Sequence, residues 1–86
     1  RKYQVKRAGK AIELTPQEFK LLKFLMRRKG NVLSREMILS RVWGYDTGVQ
    51  SRAVDVYIGY LRKKIDKGFK KRLIHTLRGF GYMIKD

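Results

Sequence analysis

Residues 51–84 read SRAVDVYIGYLRKKIDKGFKKRLIHTLRGFGYMI, and they contain the clearest helical and hairpin patterns of the chain. Apolar residues recur in its first half with the helical period, at Val54, Ile58, Leu61 and Ile65. In its second half, two short apolar segments flank the sequence Arg-Gly-Phe-Gly at 78–81, whose glycines allow a sharp reversal of the backbone. We therefore predict a helix over 51–67 and then a β-hairpin with strands over 73–77 and 82–84.

The side of this helix that faces away from the apolar stripe has no carboxylate and carries, at 100° per residue, Arg52, Val56, Gly59, Tyr60, Lys63 and Lys67. A helix of this kind fits the major groove of DNA, where exposed side chains reach base edges. Arg52 and Lys63 suit phosphates or guanine. Val56 suits a thymine methyl group, and Tyr60 suits hydrogen bonding or stacking. The alternative is an amphipathic packing helix whose outer face is only solvated.

The hairpin offers a second set of contacts. Arg78 at its tip can enter a minor groove, whose negative potential attracts arginine, and Thr76 can reach a phosphate. Tyr57 and Arg62, at the margins of the preceding helix, can also reach the DNA backbone. The alternatives are a solvent-exposed turn residue at 78 and a threonine that only favours a strand.

The N-terminal half supplies further elements. Segments 3–7 and 11–14 are predicted strands around a turn at 9–10. Residues 15–18, Thr-Pro-Gln-Glu, combine an N-cap, a proline for the first helical position and a capping-box glutamate. The first helix, which begins there, is expected to end at the Gly-Asn pair of 30–31.

A second helix is predicted from Ser34, its N-cap, to Gly44, where a polar loop over 44–50 begins. Its buried side is expected to consist of Met37, Ile38, Val42 and Trp43. The element order is therefore strands, three helices and a hairpin. This is the order of an α+β fold, the winged helix-turn-helix, in which helices two and three form the helix-turn-helix and the hairpin over 73–84 is the wing.

The charge of the chain indicates a polyanionic partner. Its 86 residues suffice for one domain, and they include 22 Lys and Arg against 7 Asp and Glu, a net charge of +15. Residues 1–30 have a net charge of +8 and residues 51–86 of +7, whereas residues 31–50 are neutral. A nucleic acid or an anionic membrane surface would neutralise this charge. Apolar runs of three residues at most are too short for a transmembrane helix.

The sequence gives little support to an enzyme. Because it has no cysteine, thiol catalysis, zinc fingers and disulfide scaffolds are excluded. His75 is the single histidine, and no pair of carboxylates has a spacing typical of acid–base catalysis. Gly79 and Gly81 follow a predicted strand without opening a helix, so they do not form a nucleotide-binding loop. No catalytic residue, cofactor or metal is expected.

Six motifs make the chain resemble the effector domains of OmpR/PhoB-type response regulators. They are Thr15–Leu22, Ser34–Leu39, Val42–Gly44, Arg52–Ile58, Leu61–Lys64 and Thr76–Tyr82. Each motif is weak alone, but together they cover nearly the whole chain in the family's order. The resemblance implies a sequence-specific double-stranded DNA-binding domain over 1–86, with the helix over 51–67 in the major groove and the wing over 73–84 in the minor groove.

The resemblance also implies a longer, cytoplasmic protein of a bacterial two-component system that regulates transcription. A receiver domain, absent from this chain, would be phosphorylated on Asp by a sensor kinase and would promote a homodimer. Two effector domains would then lie head to tail on direct repeats of DNA. The loop after the second helix would contact RNA polymerase, here through Tyr45, Asp46 and Thr47. The family's N-terminal sheet has four strands, of which only two are predicted here, so a frayed sheet edge is expected.

The family's contact positions fall on Arg52, Tyr57 and Arg62 for phosphates, on Val56 and Tyr60 for base edges, and on Thr76 and Arg78 in the wing. Lys63 is added as a DNA contact because it lies on the same basic face. Some family members have two arginines where this chain has Gly59 and Tyr60. The DNA half-site that those members recognise therefore does not predict the half-site of this chain.

Two other classes of function stay open. A non-specific or RNA-binding basic module would show strong salt dependence with little sequence preference. A protein–protein module, whose winged helix docks a partner, would bind DNA weakly at physiological salt. An enzyme is the least supported class.

Overall fold

A computed structural model of the chain describes residues 3–44 and 48–85. The strands are β1 (Tyr3–Arg7), β2 (Lys10–Leu14), β3 (Ile74–Leu77) and β4 (Gly81–Ile84). The helices are α1 (Pro16–Arg27), α2 (Arg35–Ile38, continued by a π-helical turn over Leu39–Trp43) and α3 (Arg52–Leu61, continued by a π-helical turn over Arg62–Asp66). This order confirms the predicted α+β winged helix-turn-helix.

The N-terminal strands form an antiparallel hairpin in which Tyr3 pairs with Leu14 and Arg7 with Lys10. The two residues between the strands, Ala8 and Gly9, have φ of 52° and 78°, the conformation of a two-residue hairpin turn. The predicted turn at 9–10 is therefore wrong by one residue. The turn was hidden because alanine rarely adopts a positive φ.

Helix α1 begins at the predicted capping box. The Glu18 backbone N–H donates to Thr15 Oγ1 over 3.2 Å, and the Thr15 N–H donates to Glu18 Oε1 over 2.9 Å. The helix ends at Arg27 rather than at the predicted 30–31. Gly30 has left the helix because its N–H donates to Ile84 O in β4 over 2.9 Å.

Helices α2 and α3 both end in a wide turn. The Ser34 hydroxyl caps the start of α2, as predicted. At the helix ends, the Gly44 N–H donates to Leu39 O over 3.1 Å and the Lys67 N–H donates to Arg62 O over 2.9 Å, the five-residue spacing of a π-helix. The predicted ends of both helices are confirmed to within one residue, although the change of helical period was not predicted.

The wing hairpin, β3 with β4, is pinned to the segment before α2. The Leu33 N–H donates to Tyr82 O over 2.8 Å, and the Tyr82 N–H donates to Leu33 O over 2.9 Å. This pairing brings Gly81 close to the same segment, since a Cβ on Gly81 would lie 2.0 Å from Leu33 O. Gly81 also has φ of 142°, so the close approach and the backbone conformation both require glycine.

The core lies beneath α3. All four residues of the predicted apolar stripe are buried, namely Val54, Ile58, Leu61 and Ile65. They form one cluster with Ile12, Leu14, Leu21, Leu22, Leu25, Leu33, Ile38, Val42, Ile74, Tyr82 and Ile84. The prediction for α2 is wrong at Met37, which is 40% exposed, and Trp43 is half-buried. Because Ile38 faces the core, its neighbour Met37 points about 100° away from it.

Glu18 is a buried carboxylate that joins α1 to the π-helical turn after α3. Lys64 Nζ donates to Glu18 Oε1 over 2.6 Å. Burial alone would raise the pKa of the Glu18 carboxyl, but hydrogen bonds from Lys64 and Thr15 outweigh it and hold the pKa below its ordinary value of 4.5. This ion pair was not foreseen, because Lys64 lies 46 positions further along the chain.

Asp66, the second buried carboxylate, is 6% exposed and gathers three segments at the end of α3. Arg7 Nη1 of β1 lies 3.0 Å from Asp66 Oδ1. The backbone N–H groups of Leu73 and Ile74 donate to the same carboxylate over 3.0 and 3.2 Å. The Arg7 guanidinium also donates to Ile65 O and stacks over Phe69. Asp66 thereby fixes the N-terminal hairpin and the start of the wing to α3.

Candidate nucleic-acid interface

The outer face of α3 is exposed, as the helical period predicted. Arg52 and Lys63 are exposed, and Val56 and Tyr60 between them are 42% and 44% exposed. A Cβ added at Gly59 would lie more than 4 Å from every heavy atom outside the adjacent residues and the surrounding backbone of α3. This face therefore presents cationic, apolar and hydroxyl groups together to solvent, and it has space at its centre.

Tyr57 is half-buried and belongs to an aromatic cluster at the junction of α2 and α3. Its ring centroid lies 5.3 Å from that of Trp43 and 5.2 Å from that of Tyr60, and both contacts are edge-to-face. Tyr57 thus supports Tyr60 on the exposed face and links it to the end of α2. Tyr57 is predicted from the sequence only as a contact to the DNA backbone, and this supporting role was not predicted.

The wing tip is exposed at Arg78, Gly79 and Phe80. Phe80 is 74% exposed, which is unusual for a large apolar side chain and is not explained by packing within the described residues. A cleft of about 440 Å³ lies between the tip and the helices, and Arg35, Asp55 and Thr76 contribute to its lining. Phe80 was predicted only as a turn residue, although its position between two glycines in a tight turn is typical of an exposed side chain.

Two predicted contact residues, Arg62 and Thr76, lie against each other. Arg62 Nη2 donates to Thr76 Oγ1 over 2.5 Å and to Ile74 O over 3.3 Å. The Arg62 side chain is therefore half-buried between the end of α3 and strand β3. The structure places these two residues at the junction of helix and wing rather than as separate exposed groups.

Asp55 and Tyr82, which were not predicted as site residues, form a second link between α3 and the wing. Tyr82 Oη donates to Asp55 Oδ1 over 2.5 Å, and Arg35 Nε lies 3.7 Å from Asp55 Oδ2. Burial of the tyrosine and its hydrogen bond to Asp55 together raise the pKa of Tyr82 to about 12. A tyrosine hydroxyl with its ordinary pKa of 10 is already protonated at neutral pH, so the raised pKa extends the donor role of Tyr82 into alkaline solution.

The electrostatics of this side of the domain favour anions. Asp55 and Asp66, the carboxylates of α3 and its π-helical turn, are engaged with arginines. The end of the helix also borders a cavity of about 390 Å³ whose lining includes Arg62, Lys63, Lys67 and Arg72. Positive charge concentrated on one helix and the adjacent segment is the pattern of a nucleic-acid-binding surface.

The polymerase loop predicted at Tyr45, Asp46 and Thr47 lies outside the described residues. Within residues 3–44 and 48–85, no group of three or more His, Cys, Asp or Glu side chains is arranged to hold a metal ion. In the same residues, every helix is too short or too polar to cross a membrane.

A helix-turn-helix with an exposed basic α3 and a wing tipped by arginine defines the winged-helix class of DNA-binding domains. The family described as "Transcriptional regulatory protein, C terminal" matches residues 9–84. The chain belongs to this family.

Proteins similar to this chain are described as transcriptional regulators or as their DNA-binding domains. The chain is 52% identical to the transcriptional regulatory protein YkoG of Bacillus subtilis, over 95% of this chain and 36% of that protein. It is 38% identical to the DNA-binding domain of Bacillus subtilis CssR, with a TM-score of 0.80, over 94% of this chain and 89% of that one. The response regulator DrrB of Thermotoga maritima, an OmpR/PhoB homologue, is 35% identical with a TM-score of 0.84, over 98% of this chain and 38% of that one.

These matches confirm the predicted resemblance to OmpR/PhoB-type effector domains. The domain is a DNA-binding domain of transcription regulation and not an enzyme. It spans about a third of the length of the curated relatives it matches.

Proposed function

We propose that this domain recognises a specific double-stranded DNA sequence, with α3 in the major groove and the wing in the adjacent minor groove. The observation that carries the proposal is the exposed outer face of α3, which has no carboxylate and continues into a wing tipped by Arg78. A helix fits the major groove, and arginine is favoured in the narrow minor groove.

The roles within this surface follow from chemistry and exposure. Val56 and Tyr60 contact base edges, since they are the exposed uncharged side chains at the centre of the face. Arg52 and Lys63 flank them and contact phosphates or guanine. Tyr57 is half-buried beside Tyr60 and contacts the DNA backbone through its hydroxyl group.

The paired residues Arg62 and Thr76 contact one phosphate together, because their hydrogen bond places both groups at the junction of helix and wing. Phe80 rests against deoxyribose in the minor groove, where apolar side chains are commonly placed. These contacts extend the proposed DNA-binding surface from α3 to the wing tip.

Arg78→Ala is expected to weaken operator binding by about 1–3 kcal/mol, because it removes a cation from the minor groove. Arg27→Ala is the control, since Arg27 is an exposed arginine at the end of α1 and the change in net charge is the same. Affinities measured by fluorescence anisotropy at one salt concentration should fall for the first variant and stay near the parent value for the second. If folded Arg78→Ala and Arg27→Ala bound the operator with equal affinity, Arg78 would not be a DNA contact.

Selection from a random pool of duplexes at near-physiological salt tests the function itself. Enrichment of a short motif is expected, and that motif supplies the operator. Retention of DNA without any motif would instead indicate the non-specific binder, and retention of none would indicate a protein partner.

We further propose that the domain is the output part of a cytoplasmic, bacterial two-component response regulator. The support is its match to about a third of the length of regulators such as YkoG, which leaves room for a receiver domain in the whole protein. Phosphorylation of that receiver would assemble a homodimer on direct repeats. Domain boundaries of 1–86 for the effector part are included in this proposal.

The loop residues Tyr45, Asp46 and Thr47 are proposed to contact RNA polymerase. Support comes from the neutral charge of residues 31–50 between two basic segments. Tyr45→Ala and Asp46→Ala in the whole regulator are expected to leave operator affinity unchanged and to lower transcription in a reconstituted assay. A loss of operator affinity in either variant would assign the loop to DNA instead.

A further inference from the structure

A hydrogen bond between side chains joins α3 and the wing, the two parts of the proposed DNA-binding surface. Tyr82 Oη donates to Asp55 Oδ1 over 2.5 Å across 27 positions of sequence. Asp55 lies in the first turn of α3, three residues after Arg52, and Tyr82 lies in β4, four residues after Arg78. Each partner is therefore close in sequence to a proposed DNA contact without being one itself.

Both partners are also held from a second side. Arg35 Nε of α2 lies 3.7 Å from the other oxygen of Asp55, at ion-pair distance, so the carboxylate has a cationic neighbour as well as the tyrosine donor. Tyr82 is 8% exposed, and its backbone is paired with Leu33. The Arg62 guanidinium lies 5.8 Å from the centre of the same ring. The tyrosine hydroxyl therefore has a defined position, and so does its acceptor.

We propose that Asp55 and Tyr82 are positioning residues for DNA recognition, which hold the wing at a fixed distance from α3. This inference rests on the proposed function and deepens it. The two grooves of B-DNA have fixed widths and lie side by side, so a reader that enters both must match their spacing. A wing held in place before binding loses less conformational freedom when it enters the minor groove.

The hydrogen bond between Tyr82 and Asp55 is expected to contribute more to the position of the wing than to the stability of the fold. Asp55 is half-buried, so after loss of the tyrosine hydroxyl its carboxylate still has Arg35 and solvent as partners. Tyr82→Phe keeps the ring that packs in the core and removes only the hydroxyl. The variant is therefore expected to fold, with the wing less restrained.

The experiment compares Tyr82→Phe with Tyr3→Phe, which removes the same atom from the N-terminal hairpin, where the Tyr3 ring packs against Phe19. Affinities are measured for the operator duplex recovered by selection and for a scrambled duplex. Tyr82→Phe is expected to lower operator affinity about five- to thirtyfold, because the less restrained wing loses more conformational freedom on binding, and to leave the scrambled duplex unaffected. Tyr3→Phe should change neither.

A double-variant cycle measures the coupling between Tyr82 and Arg78 in operator affinity. This coupling would be absent if Tyr82 served only to stabilise the fold. Arg78→Ala is made in the parent and in Tyr82→Phe, and it should cost less operator affinity in Tyr82→Phe, because the wing there no longer enters the groove in register. Equal costs of Arg78→Ala in both backgrounds would overturn the proposal. So would an equal loss of affinity for both duplexes with a lowered melting temperature, since that pattern indicates damaged folding.

A measurement on the free domain keeps the test independent of DNA specificity. If the parent does not distinguish operator from scrambled duplex, the proposed function fails, and the positioning role is decided by residual dipolar couplings alone. The couplings of residues 74–84 relative to those of 52–61 should change in Tyr82→Phe and not in Tyr3→Phe. An unchanged wing orientation in Tyr82→Phe would overturn the positioning role.

Discussion

Gly81→Ala is expected to lower the free energy of unfolding by at least about 3 kcal/mol. The new methyl group would lie 2.0 Å from Leu33 O and 2.8 Å from Leu33 C, which are backbone atoms that cannot turn aside. Relief of the clash requires β4 to move away from Leu33, which breaks the two hydrogen bonds between Leu33 and Tyr82. The φ of 142° at this position adds further strain for any side chain.

Gly79→Ala is the control for this prediction. Gly79 lies in the same turn and has φ of 80°, but a Cβ there has no heavy atom within 4 Å. Its expected cost is the conformational one alone, about 1–2 kcal/mol. Urea denaturation followed by circular dichroism gives both values. A Gly81→Ala variant no less stable than Gly79→Ala would show that β4 and Leu33 are not in contact.

Asp66→Ala is the second change with a large expected effect, a loss of about 3–5 kcal/mol of unfolding free energy. The variant leaves the partly buried Arg7 guanidinium without its carboxylate and two backbone N–H groups, of Leu73 and Ile74, without their acceptor. Unsatisfied buried donors and an unpaired buried charge are among the most destabilising defects known in proteins. An 86-residue domain has little stability to spare for such a loss.

Glu36→Ala is the control for Asp66→Ala, because Glu36 is an exposed carboxylate in the first turn of α2. Its expected cost is about 0.3–1 kcal/mol, from a lost interaction with the helix dipole. Both variants are measured by chemical denaturation at the same pH and salt concentration. If the two losses were equal, Asp66 would be no more than a surface charge.

Much of the fold follows from local sequence patterns. The capping box at Thr15 and Glu18 and the stripe at Val54, Ile58, Leu61 and Ile65 depend on spacings of three and four residues, which sequence alone displays. The turn at Ala8 and Gly9 was misplaced because an alanine with φ of 52° contradicts the usual preference of that residue. Met37 was wrongly predicted to be buried. Which residues of a helix as short as α2 are buried depends on how the helix packs against the rest of the domain, which sequence alone does not show.

The candidate site was predictable to the same extent. Exposure of Arg52, Val56, Tyr60 and Lys63 follows from the helical period once the buried stripe is known. The links Tyr82–Asp55 and Arg62–Thr76 cross 27 and 14 positions, so they depend on how the wing packs against α3. Sequence patterns of short range contain no information on that packing.

The vacant space above Gly59 has a consequence for the evolution of such regulators. A mutation there introduces a new side chain at the centre of the proposed DNA-binding face, and its Cβ meets no atom of another element within 4 Å. Replacement of glycine within a helix also tends to stabilise the helix, by up to about 1 kcal/mol for alanine. Operator preference can therefore diverge through a single codon while the core stays unchanged, so a duplicated gene can acquire new targets without first becoming less stable.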